Sequence, residues 1–391
     1  MNSLQAAEYC GFNLSLTLLL DVGASPAVVA YVNAFRWANG RKRVVVEEML
    51  SPACAGSAAI HANGSSWGAV GGECVGRGIR GMWIDVLGRE LRAHEPPNAH
   101  VLPLEDDTSV SPLFYWWLRR AARAYGPFDT AAAAWKDNGH SRRLVGISLY
   151  SPRLNEIHYP SQFWRPYWAV KKAPCFLFCL PCSWGALYFR AQWEAFLRFY
   201  EHRAHPPFYS FASEAHQKGK LHNREVIGDP ALGIPDSRAS TWPRSWKRFM
   251  IDFMYGRGDV MLYPNAPKDP NAQRYATLSF STTYMEKGAH SGTDGHSEAN
   301  AEDSLRPASE YDKRKTVPLV TRAEAPEAVS ALAAPPPYDQ LPVVDLLHRR
   351  LTDLAVLQMI GRRYLTKAEA QTRATSAEFA ALSRAWLAEY G

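Results

Sequence analysis

The chain has 391 residues, room for two or three domains at roughly 100–200 residues each, and a core of that size needs no disulfide staples. It is 47% hydrophobic and 21% charged, which excludes wholesale disorder. The net charge of +6, from 44 Lys+Arg against 38 Asp+Glu, is too thinly spread to imply nucleic acid.

The first readable strand is Leu14–Asp21, a continuous apolar run ending in an acid. Such runs suit a parallel sheet covered on both faces. A Gly23-containing turn follows, with Ser25 as helix N-cap and Pro26 at the first helical position, and the helix runs to about Phe35. A second strand spans Arg43–Glu47. This alternation predicts an α/β fold with a mostly parallel sheet. Residues 51–78, rich in Gly, Ala and Ser, read as a loop. A helix starts near Gly78, a short strand covers Val101–Leu104, and Ser109 or Ser111 caps an aromatic helix over Pro112–Tyr125. Leu144–Leu149 is a further apolar strand. Residues 150–260 are dense in Trp, Tyr, Phe and Pro and read as a substrate-facing region. Residues 291–340 read as a flexible linker by composition. Amphipathic helices over about 342–361 and 375–389 close the chain. The expected organisation is a catalytic domain over 1–290, the linker, and C-terminal helices over 341–391 that dock on that domain.

Cys175, Cys179 and Cys182 invite a zinc reading, but Phe, Leu and Pro separate them, which favours small buried residues in an apolar strand. No window reaches about 18 uninterrupted apolar residues, so no transmembrane helix is expected, and no signal peptide is evident after Met1.

Glu105-Asp106-Asp107 is the feature with most chemistry. Three acids directly after an apolar strand repel one another unless solvent or a cation receives them. At the carboxyl end of a parallel strand they sit where α/β proteins bind ligands. Hard carboxylate oxygens suit Mg²⁺ or Mn²⁺, which also bind diphosphate. The competing reading is a solvated turn with Asp107 or Thr108 capping the next helix.

The ordered set is more specific than the tripeptide. It comprises a strand ending in Asp21, Gly78-Ile79-Arg80-Gly81-x-Trp83, then Leu104-Glu105-Asp106-Asp107 with Ser111-Pro112-Leu113-Phe114-Tyr115-x-Trp117. It resembles the family 2-type glycosyltransferases of the GT-A superfamily, and its acidic segment is similar to N-acetylglucosaminyltransferases of N-glycan processing. Leu180–Phe189, Arg244–Arg248, Val260–Asn265 and Ser279–Thr283 are similar to segments of plant and algal members. The resemblance covers about residues 4–290. It implies a GT-A fold, Rossmann-like with helices flanking the sheet. It implies a nucleotide-diphosphate sugar donor carrying UDP or GDP, a glycan or glycoprotein acceptor, and a Golgi or endomembrane setting. A chain complete as given implies the cytoplasm instead. By the same resemblance the first strand, and any membrane anchor, lie upstream of Met1.

The resemblance further implies that Asp21 bonds the base or ribose and Arg80 faces a phosphate. Asp107 ligates the metal directly, Asp106 holds the ribose or a metal-bound water, and Glu105 supports the loop. His290 stands where some GT-A enzymes place a last metal-binding His, with a linker His as the alternative. Trp184 beside Gly185 is either a sugar platform or core. In the resembling enzymes an acid precedes the Trp of the late motif; here Ser245 precedes Trp246, and serine cannot be the base. Asp252, set among apolar neighbours, is the remaining choice, against an outward-facing Asp. Two other readings stay open: a non-catalytic glycan-binding relative, and a metal-dependent nucleotidyl or phosphoryl transferase. The last expects a Gly-x-x-x-x-Gly-Lys-Ser/Thr loop, which the sequence lacks.

Overall fold

A computed structural model describes residues 1–47, 78–94, 99–126, 143–152, 154–155, 162–164, 166–203, 245–265, 268–269, 274–281, 319–322 and 326–375. After a short helix α1 (Asn2–Gln5), β1 (Leu16–Leu20) and β2 (Lys42–Val46) pair in parallel, joined through α2 (Pro26–Ala34). Ser25 Oγ accepts from Val28 N at 3.3 Å, and Pro26 opens α2, as the cap signal predicts. The expectation that β1 is covered on both faces does not hold: all five of its residues are half-buried, in a sheet of two strands. That sheet is fastened to helix α3 by ion pairs from Arg43 to Glu90 and from Arg89 to Glu47. Helix α3 runs through Gly78–Gly81, a π-helical stretch Met82–Val86, and Leu87–His94.

Val101 makes a single bridge to Tyr188, so the predicted strand over 101–104 is reduced to one pair. After the acidic turn come β3 (Thr108–Val110) and α4 (Phe114–Tyr125). Ser109 lies within β3, and Ser111 Oγ accepts from Leu113 N while donating to Val320 O. Helix α4 therefore starts two residues later than predicted, without a side-chain cap.

The remaining elements include β4 (Leu144–Ser148), β5 (Cys175–Phe178), β6 (Ala186–Tyr188), α5 (Arg190–Arg203), α6 (Lys247–Arg257), β7 (Val260–Pro264) and β8 (Ser279–Ser281). They are followed by α7 (Pro326–Ala333), β9 (Val343–Val344), β10 (Arg350–Leu351) and α8 (Leu354–Thr375). Six strands form one sheet in the order β10-β9-β5-β7-β4-β6. Only β9–β5 and β4–β7 pair in parallel; β10–β9, β5–β7 and β4–β6 are antiparallel. The architecture is α/β as expected, but the sheet is mixed rather than mostly parallel. Strands β4, β5 and β7 are buried throughout.

The C-terminal region departs most from expectation. Val343 and Val344 are strand, not helix, and pair with Leu177 and Phe178 of β5. Within the predicted linker, α7 is packed, with Ala328 and Leu332 buried one turn apart. Tyr125 donates to Pro336 O, and Tyr338 meets the Tyr125 ring at 6.0 Å. The stretch 375–389 lies outside the described residues except for Thr375, the last residue of α8.

Candidate functional site

The acidic turn is held from three sides. Val101 and Tyr188 exchange backbone bonds of 3.2 and 2.7 Å, which sets the start of the loop. Thr108 N donates to Glu105 O at 3.0 Å, closing the turn into β3. Strand β8 runs antiparallel to β3, with Ser281 opposite Thr108 and Ser279 opposite Val110. Residues two apart on a strand share a face. Ser281 Oγ accordingly donates to Asp107 Oδ2, and Ser279 Oγ donates to the carbonyl of Trp184. One strand face thus ties Asp107 to the Trp184–Gly185 turn.

Gly185 is required there. Its φ is +87°, and a Cβ would stand 3.1 Å from Ser279 Oγ and 3.3 Å from Leu104 Cδ2. Its carbonyl accepts from Leu149 N at 2.9 Å, just past the end of β4. The Trp184 ring is half-buried and meets Tyr150 edge-on at 4.7 Å. The acidic turn and Trp184 therefore gather at the carboxyl end of β4, where open α/β sheets bind ligands.

Behind the turn, Trp83 and Trp246 stack at 4.0 Å with their planes 17° apart. The Trp83 side chain hydrogen-bonds to Glu105, whose carboxyl is pushed up to about 8. Burial is the main cause, with the Asp107 and Asp106 charges adding to it and the Trp83 bond and Lys247 opposing it. Glu105 supports the loop from inside; Asp106 is exposed. Arg80, one turn before Trp83, is buried, with Phe249 5.8 Å from its guanidinium and Arg248 over the same ring at 4.6 Å.

Lys247 and Ser281 are not among the expected site residues, although both fall inside segments that carry the resemblance. A lysine after Trp246 and a serine in a Ser/Thr run carry no local signal; the fold brings them to the acids.

Two expected residues have other surroundings than predicted. Asp21 ends β1 and its Oδ1 accepts from Val22 N at 2.7 Å. Its strand belongs to the two-stranded sheet, so Asp21 and the acidic turn do not end parallel strands of one sheet. Asp252 is not outward-facing. It is buried, and Tyr364 of α8 donates to its Oδ1. That bond ties α6 to α8. His290 lies outside the described residues.

Cys175, Cys179 and Cys182 are buried free thiols. Burial pushes the Cys175 thiol up to about 12, against the Tyr125 hydrogen bond. Among the described residues, no three His, Cys, Asp or Glu side chains gather into a metal-holding group. Asp106 and Asp107 together offer hard oxygens at one turn, a donor set that suits a cation drawing its other ligands from water and diphosphate oxygens. No helix among the described residues is long and apolar enough to cross a membrane. No family model, curated protein or solved structure matches this chain.

Proposed function

We propose that this chain is a glycosyltransferase of the GT-A type that binds a UDP- or GDP-sugar together with Mn²⁺ or Mg²⁺. The observation that carries the reading is the convergence of Asp107, Ser281 and the Trp184–Gly185 turn at the carboxyl end of β4. In this reading Asp107 is the direct metal ligand, oriented by Ser281, and Asp106 meets the ribose or a metal-bound water. Glu105, turned inward to Trp83, holds the loop. Arg80 serves the diphosphate, and Trp184 offers a ring face to the sugar. A metal held there by Asp107 would supply the positive charge that neutralises a leaving diphosphate. A glycan or glycoprotein acceptor in an endomembrane lumen belongs to the same proposal.

The Asp252–Tyr364 tie favours a second reading, a donor-binding relative that does not transfer, because it occupies the acid that the sequence offered as base. Calorimetry tests both, and an assay of sugar transfer and donor hydrolysis separates them. Mn²⁺ should bind weakly alone and more tightly with UDP or GDP. Asp107→Ala should abolish that synergy, and Ser281→Ala, which only positions the carboxylate, should weaken it about tenfold. Metal-dependent nucleotide binding that survives Asp107→Ala would sink both readings. Binding without sugar transfer or donor hydrolysis selects the second.

A further inference from the structure

We propose that the turn carrying Trp168, Lys171 and Lys172 is a binding surface for an anionic saccharide, the acceptor side of the same sheet edge. This deepens the transferase reading and rests on that edge being where sugars bind.

The place comes from the topology. Strands β4 and β7 are parallel, so their carboxyl ends share one edge. The acidic turn and Gly185 stand at the end of β4. Strand β5 runs antiparallel to β7 with Cys175 opposite Pro264, so the segment entering β5 arrives at that edge too. Short bonds stitch the two places together. Ser151 N donates to Thr277 Oγ1 at 3.2 Å, and Ser151 Oγ to Pro264 O at 3.0 Å. Asn265 then fixes the turn, donating from its backbone to Pro174 O at 2.8 Å and from its amide to Ala173 O at 2.6 Å.

The turn itself departs from ordinary chain behaviour. Lys171 and Lys172 both have positive φ, 53° and 62°. Consecutive left-handed non-glycine residues are costly and persist only where the surroundings hold them. Here the Asn265 bonds and the backbone bond from Lys171 N to Trp168 O supply that hold. Both lysines are exposed, and Trp168 is 57% exposed, the largest value among the large apolar side chains of the described residues. The Lys172 ammonium lies 5.1 Å from the Trp168 ring centroid. An exposed indole beside ammonium charge on a held backbone matches a sugar that offers an apolar ring face and a carboxylate, sulfate or phosphate. A chain seeking only stability would place glycine at either lysine position.

The test uses the full chain and a sulfated heparin-derived tetrasaccharide, its desulfated counterpart, and vesicles containing phosphatidylserine. The sulfated tetrasaccharide should bind more tightly than the desulfated one, and the vesicles should not bind. Trp168→Ala and the double variant Lys171→Gly/Lys172→Gly should each weaken it about tenfold. The glycines remove charge while relieving the backbone, so misfolding does not explain a loss. Mn²⁺–UDP binding should be unchanged in both. Unaltered tetrasaccharide binding in either variant overturns the proposal, as does wild-type binding to vesicles but not to the tetrasaccharide. Failure of Mn²⁺–UDP binding in the wild type, with saccharide binding intact, refutes the donor reading and leaves this surface standing.

Discussion

His100 sits edge-on to Phe189 at 5.2 Å, and its Nδ1 accepts from Arg190 N at 3.2 Å. Burial disfavours the charged ring and lowers its pKa from 6.5 to about 4. The unfolded chain therefore takes up the proton first as acid is added. The contribution is complete above the unfolded value and is lost as pH falls through the window between 6.5 and 4. His100→Asn keeps an acceptor for Arg190 N but does not titrate. Urea midpoints measured at pH 7 and pH 5 should fall further in the parent chain than in the variant. Equal falls would show that this imidazole is not the group responsible. His100 was invisible as a candidate from sequence, because a lone His has no partner until β6 and the residues before the acidic turn are brought side by side.

Helix α8 docks on α6 through Gly361 and Tyr364. These stand one turn apart on the face that also buries Leu354 and Leu357. A Cβ on Gly361 would come 2.5 Å from Tyr255 O and 2.7 Å from Gly256 O, both backbone atoms that cannot rotate aside. A Cβ on Gly258, which is left-handed at the end of α6, would likewise come 2.6 Å from Gln358 Cα. Gly361→Ala raises helix propensity and, on a loosely docked helix, should stabilise by about 0.5–1 kcal/mol. With this packing the opposite is expected, a loss of about 1–3 kcal/mol in urea unfolding. The sign alone distinguishes the two.

The C-terminal segment completes the central sheet of the whole molecule. Strand β9 covers the edge of β5, Leu341 and Leu346 are buried beside it, and α8 then covers α6. A chain ending at residue 340 exposes the unpaired groups of β5 and uncovers the apolar side of α6. It should lose cooperative unfolding and near-ultraviolet dichroism, since the loss rivals a domain's whole stability of about 5–15 kcal/mol. A truncated chain that still unfolds cooperatively would contradict this account.

Local signals predicted well what local physics controls. The Ser25-Pro26 start of α2, the apolar strand at Leu144, the burial of the three clustered cysteines and the acidic turn itself rest on capping, hydrophobicity and charge repulsion between neighbours. Strand direction and strand partners are long-range choices. The apolar run at Val343 fits a short strand or a helix turn equally, and the open edge of β5 decided it. The Ala-rich stretch before it became α7 because Ala328 and Leu332 found a buried surface. Tyr364 reaches Asp252 from α8, a partner that no local pattern around residue 252 announces. The candidate site follows the same division. Its acids and Trp184 were legible as residue types, whereas Ser279 and Ser281 reach the site only once β8 pairs with β3 at about 4.7–4.9 Å, and Lys247 only once α6 packs behind the turn.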